Sequence, residues 1–275
     1  MIPIPSRQAF YGAAVFLSSA GGLVLEIVAG RLLAPYVGMS LYTWTAIIAV
    51  VLAGFSIGHW IGGRLAGPDC DATAGGRRVA YALALASAAS LACLALLRWL
   101  SAPVLSSGLP VLAAIVLLAA LLFLLPSLFV GIVSPILTKL AVDASPGDPG
   151  RAIGRMYALS AVGSIVGTLS AGYLFVSWVG STGTVLAVAA VYAALALLFA
   201  RLSRVAVTVA ALLAILGAGF GVAGWQLAAF RALRSPNELL ASRIEQARVP
   251  ILTDDYAPVD RLLSHVLLDR ELSER

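Results

Sequence analysis

Residues 109–140 read LPVLAAIVLLAALLFLLPSLFVGIVSPILTKL, and Lys139 is the sole charged side chain in the run. As a helix it would be ~48 Å long at ~1.5 Å per residue, against a hydrocarbon core of ~30 Å. A soluble core has no place for so long an oily rod. The run therefore predicts a membrane helix that protrudes, or that kinks or breaks at Pro126 and Pro135.

On either side of it, similar runs recur at residues 10–33, 42–65, 79–100, 156–179, 183–200 and 205–227. The chain is 61% apolar and 11% charged, whereas soluble domains carry about 25% charged residues. The expected fold class is all-α, a polytopic transmembrane bundle of about seven spans over residues 1–228. Residues 229–275 form a polar C-terminal tail. Residues 67–78 and 143–151 read as polar loops. The N-terminal run lacks a small-residue cleavage site and is expected to stay as the first helix.

The net charge is +5. Residues 1–230 hold 11 basic and 5 acidic side chains, and the tail holds 7 basic and 8 acidic. The basic excess thus lies in short loops, where it orients helices, and does not point to nucleic acid. With a cytoplasmic N-terminus, that side carries Arg7, Arg64, Arg77, Arg78, Lys139, Arg151, Arg155, Arg201 and Arg204. The other side, tail excluded, carries Arg31 and Arg98. An inner-membrane protein with its N-terminus inside is the expectation. Seven spans would put the tail outside, against the vote of Arg231, Arg234, Arg243 and Arg248. Alanine richness and arginine in place of lysine suggest a GC-rich prokaryotic genome.

Glu26 is the costliest side chain in the spans. A charge at a helix centre costs about 2.5–3.5 kcal/mol on insertion scales, so a partner is expected. Arg31 lies five residues on, about 140° around the helix, and does not face it. Arg98, Tyr42 and Thr45 are better placed. Glu26 is then either a ligand- or ion-contacting carboxylate or one end of an interhelical hydrogen bond. Arg31 and Arg98, near helix ends, also suit snorkelling to the interface. His59, beside Trp60, suits a proton relay or a structural hydrogen bond.

Gly54, Gly58 and Gly62 recur at every fourth position, as do Gly163, Gly167 and Ala171, and both stripes predict close helix packing. Ser160, Ser164 and Thr168 lie beside the second stripe and suit a polar cavity. Trp44, Trp99, Trp178 and Trp225 fall near span ends, as an interfacial belt would. Cys70 and Cys93 suggest neither a disulfide nor a metal site. No zinc spacing, nucleophile elbow or nucleotide-binding loop occurs, so no catalytic residue, metal or cofactor is assigned to this chain.

Residues 25–38, LEIVAGRLLAPYVG, continue through Tyr42-Thr43-Trp44 and Gly54 to Gly62-Gly63-Arg64-Leu65-Ala66. This stretch resembles the membrane part of the fused major-facilitator-like/spermidine synthase family. Residues 154–168, GRMYALSAVGSIVGT, and the Pro126–Gly131–Pro135 region are similar to it as well. They add Tyr157 beside Ser160 as a ligand or interhelical contact. Tail residues 252–259, LTDDYAPV, are similar to the end of that family's soluble domain.

The resemblance implies a membrane module that anchors or partners a soluble Rossmann-type aminopropyltransferase-like subunit. It also implies a possible site for a polyamine-like cation. The family's soluble domain, with its glycine-rich loop and acidic residues, is not found between the last span and the tail. Aminopropyl transfer is therefore expected only with a partner. Asp254 and Asp255 either dock near that partner's site or cap the last tail helix. Competing classes are a secondary transporter, counted against for want of a clear inverted repeat, and a structural subunit of a larger membrane complex.

Overall fold

The computed structural model describes residues 4–200, and among them every element is helical. The helices are α1 (Ile4–Val37), α2 (Leu41–Leu65), α3 (Ala72–Leu105), α4 (Val111–Asp143), α5 (Pro149–Ser170) and α6 (Val176–Ala200). A π-helical turn, Ala171–Phe175, joins α5 to α6. The seventh expected span at 205–227 and the tail with Asp254 and Asp255 lie outside the described residues.

Short polar residues start the helices where the loops end. Ser40 caps α2 through the Thr43 amide, Asp71 caps α3 through the Ala74 amide at 2.6 Å, and Asp148 caps α5 through the Arg151 amide. Each satisfies an amide that has no partner inside its helix. These caps extend the helices into the expected loops, so that α3 begins at Ala72 and α5 at Pro149.

α4 continues as helix through both Pro126 and Pro135, so the expected break does not occur. Each proline removes one hydrogen bond, and close packing on α2 and α3 holds the helix together there.

Five helical stretches are long and apolar enough to cross a membrane, the last of them Pro149–Ala200 with 52 residues. A straight rod of that length would measure ~78 Å. It is in fact a hairpin. Gly180 takes φ 71°, ψ 174°, outside helical space. Along α5, Leu159, Gly163 and Gly167 approach Gly12, Phe16 and Ala20 of α1 in the same order, so α5 runs parallel to α1. Along α6 the order reverses: Tyr192 abuts Gly21 and Phe199 abuts Phe10.

The same reasoning sets α2 parallel to α4, because Gly54, Gly58 and Gly62 meet Leu124, Leu128 and Ile132 in turn. The described chain is thus an up-and-down bundle, and its neighbour relations carry a hidden order. Exchanging α1 with α4, α2 with α5 and α3 with α6 maps every packed pair onto another packed pair. α1 lies on α5 as α4 lies on α2, and α6 lies on α1 as α3 lies on α4. Three helices per unit is an odd number, so the two units have opposite sense. Neighbour relations of this kind are those of an inverted repeat, which the sequence does not display.

The glycine stripes are equivalent under this exchange. Gly54, Gly58 and Gly62 seat α2 on α4, and Gly163, Gly167 and buried Ala171 seat α5 on α1. Without a hydrophobic drive between helices in lipid, such backbone approach supplies the packing. Polar contacts cross the interior at Ser87 Oγ, which donates to the Ala189 carbonyl at 2.8 Å, and at Tyr192, whose hydroxyl donates to the Ser18 carbonyl at 3.3 Å. Cys70 and Cys93 are both free and buried.

Candidate functional site

Ser19 of α1 and Ser160, Ser164 and Thr168 of α5 are half-buried hydroxyl side chains. Ser19 and Ser160 hydroxyls lie 2.8 Å apart across the seam between α1 and α5. Glu26 is seven residues beyond Ser19, so both point to one side of α1, within about 20° of each other. Thr168 is eight residues beyond Ser160 on α5. Gly167 meets Ala20, so Thr168 stands near Ala20, whereas Glu26 lies deeper on α1, between Gly22, which meets Phe55 of α2, and Gly30, which meets Trp44 of α2. Ser164 lies between Ser160 and Thr168 on the same stripe. All five side chains are half-buried, as is Leu23, which stands on the same face of α1 between Ser19 and Glu26.

Thr168 Oγ1 donates to the Ser164 carbonyl at 3.0 Å, which leaves its oxygen lone pairs free to accept. The π turn begins directly after, at Ala171, and the Val176 amide bonds to the Ala171 carbonyl. Such widened turns mark functional positions in many helices.

The carboxylate of Glu26 has no hydrogen bond or ion pair among the described residues. The ion pairs there are Lys139–Asp143 and Arg151–Asp148, both near the N-terminal side of the bundle. The expected partners lie elsewhere. Arg98 is exposed on α3, a helix that packs on α4 and α6 and not beside α1. Tyr42 and Thr45 are exposed on α2, where Thr43 and Trp44 turn inward instead. Arg31 is exposed and off the Glu26 face, consistent with snorkelling.

His59 is exposed on α2, its ring centroid 6.4 Å from that of Phe55, which packs toward Gly22 of α1. Next to it the Arg64 guanidinium lies 3.6 Å over the Trp60 ring, a cation–π pair at the end of α2. Tyr157 is 68% exposed and stays outside the seam, although Ser160, one turn on, is in it. Trp99 and Trp178 are exposed on the side opposite the N-terminus. The residue that sequence reasoning missed is Ser19. The adjacent pair Ser18-Ser19 within an apolar helix was the available signal.

Among the described residues no group of three or more His, Cys, Asp or Glu side chains could hold a metal ion. The chemistry on offer is electrostatic and hydrogen bonding: one carboxylate, several hydroxyls and apolar walls. No family model matches the chain, and no curated protein or solved structure matches it.

Proposed function

We propose that this chain is the integral membrane module of a spermidine-synthase-like system. It anchors or partners a soluble Rossmann-type aminopropyltransferase-like subunit and offers a polyamine-like cation a place in its bundle. The observation that carries this reading is where the family-like segments fall. Residues 25–38 and 154–168 lie on α1 and α5, the two helices that meet at the Ser19–Ser160 pair, and residues 54–66 supply the stripe that seats α2 on α4. In this reading the chain crosses the inner membrane seven times, and Asp254 and Asp255 meet the soluble subunit or cap a tail helix. The N-terminus is cytoplasmic. Arg7, Arg64, Arg77, Arg78, Lys139, Arg151 and Arg155 belong to that side, against Arg31 and Arg98 on the other.

The test is capture of the intact protein from native membranes and identification of the proteins that co-purify with it. A soluble Rossmann-type protein that transfers aminopropyl groups supports the reading. A stable multisubunit membrane complex without one overturns it.

A second reading, a secondary transporter, is favoured by the neighbour relations of the two units, because many carriers place their site at the interface of two inverted repeats. Uptake into proteoliposomes that disappears in Glu26→Gln would decide for it.

A further inference from the structure

The corner where α2 gives way to α3 gathers three arginines. Arg64, in the last turn of α2, folds back along its helix so that its guanidinium lies 3.6 Å over the Trp60 ring. Arg78, half-buried near the start of α3, reaches back to donate to the Leu65 carbonyl at the end of α2. Arg77 precedes it and is exposed. α2 and α3 both pack on α4 and touch each other little, so the Arg78–Leu65 bond ties the two helix ends at this corner. None of the three arginines has a carboxylate partner among the described residues, where the ion pairs are Lys139–Asp143 and Arg151–Asp148. The carboxylates of the loop do not answer them either: Asp71 accepts from the Ala74 amide, and Asp69 is exposed and in no ion pair there. Exchanging α2 with α5 and α3 with α6 carries this corner onto residues 171–183, AGYLFVSWVGSTG, which turn the chain without any charged side chain.

We infer that the α2–α3 corner is a binding site for the phosphate headgroup of an anionic phospholipid, held by Arg64, Arg77 and Arg78 beside the Trp60 ring. A guanidinium is a planar fork that meets phosphate oxygens two at a time. Two of the three are already held in place with donors to spare. Arg64 gives its flat face to Trp60 and keeps its N–H edge, and Arg78 commits one of its five N–H groups to the Leu65 carbonyl. The flank of the corner decides between a lipid and a free phosphate. Running from Arg64 toward the middle of α2, Trp60, Ile57 and Ala53 share its face at helical spacing, and all three are exposed. α2 is long and apolar enough to cross a membrane, so acyl chains hanging from a headgroup at Arg64 lie along that stripe. A free phosphate ion would leave the stripe unused. The inference goes beyond the proposed function, since it needs neither a soluble partner nor a transported solute.

The experiment is native mass spectrometry of the full chain in detergent, titrated with phosphatidylglycerol or phosphatidylcholine, with and without inorganic phosphate as competitor. Phosphatidylglycerol should bind saturably and about tenfold or more tighter than phosphatidylcholine. Arg64→Gln and Arg78→Gln should each weaken phosphatidylglycerol by about fivefold, the worth of one basic side chain at an anionic surface, and leave phosphatidylcholine unchanged. Arg64→Lys keeps the charge without the fork and should recover part of that loss. Arg155→Gln removes the same charge from α5 and should change nothing. Should Arg78→Gln fail to fold for want of its bond to Leu65, Arg77→Gln, which breaks no such bond, carries the test. Equal binding of the two lipids would overturn the assignment, and so would an equal loss in Arg155→Gln, which would mean diffuse attraction without a site. Displacement of phosphatidylglycerol by inorganic phosphate at comparable concentration would overturn the lipid as occupant.

Discussion

Gly58 of α2 and Leu128 of α4 meet backbone to backbone: a Cβ built on Gly58 would stand on the Leu128 carbonyl oxygen. Gly163 of α5 stands in the same relation to Phe16 of α1. These two contacts are equivalent seats under the exchange of α1 with α4 and α2 with α5, and both are close backbone approaches.

Gly58→Ala and Gly163→Ala are therefore expected to destabilise by similar amounts, about 1–3 kcal/mol each, as overpacked sites do. Gly63, one residue past Gly62, has nothing within 4 Å of a built Cβ. Gly63→Ala should be neutral or stabilise by up to about 1 kcal/mol through helix propensity. Thermal unfolding in nanodiscs checks all three. Equal behaviour of Gly58→Ala and Gly63→Ala would refute the packing.

The Tyr192 hydroxyl bonds to the Ser18 carbonyl, and the Tyr192 ring fills the space left by Gly21. Tyr192→Phe keeps the ring and should cost about 0.6 kcal/mol, the average for an interhelical hydrogen bond in a membrane. Tyr192→Ala removes the ring as well and should cost about 3–5 kcal/mol. A Phe variant as unstable as the Ala variant would place the energy in the hydroxyl and not in the ring.

Gly180 turns α5 back into α6 with φ 71°, a region costly for side chains with a Cβ. Gly180→Ala should cost about 1–3 kcal/mol. An unchanged midpoint in the same unfolding assay would speak against the hairpin at this position.

Helix order puts the α1–α2 and α3–α4 turns on one side and the α2–α3 and α4–α5 turns on the other. With the N-terminus cytoplasmic, as proposed, cysteines introduced by Met39→Cys and Ser107→Cys should react with an impermeant maleimide added outside intact cells. Those introduced by Asp69→Cys and Gly147→Cys should react only after permeabilisation. Labelling of Met39→Cys and Gly147→Cys from the same side would contradict the up-and-down order.

Much of the bundle was legible in the sequence. The five long apolar stretches come from run length alone, and the glycine spacing announced close packing at the two places where it occurs. The break expected at Pro126 and Pro135 did not appear, because a proline removes one bond locally while neighbouring helices decide whether the rod stays whole. Partners for Glu26 could not be read either. Arg98 sits near the same end of the spans, but depth in a membrane says nothing about which helices are neighbours.

Composition and spacing were enough to read the class: all-helical, with stretches long and apolar enough to cross a membrane. Those properties are local or additive, so a linear string of residues expresses them directly. Folding in three dimensions was needed to pair α1 with α5 and α2 with α4, and to give the two halves equivalent neighbours. It also set Ser19 of α1 against Ser160 of α5. Residues more than 140 positions apart, such as Ser19 and Ser160, become neighbours only once whole helices have chosen their faces. That choice depends on the summed fit of many small contacts, which no single stretch of chain contains.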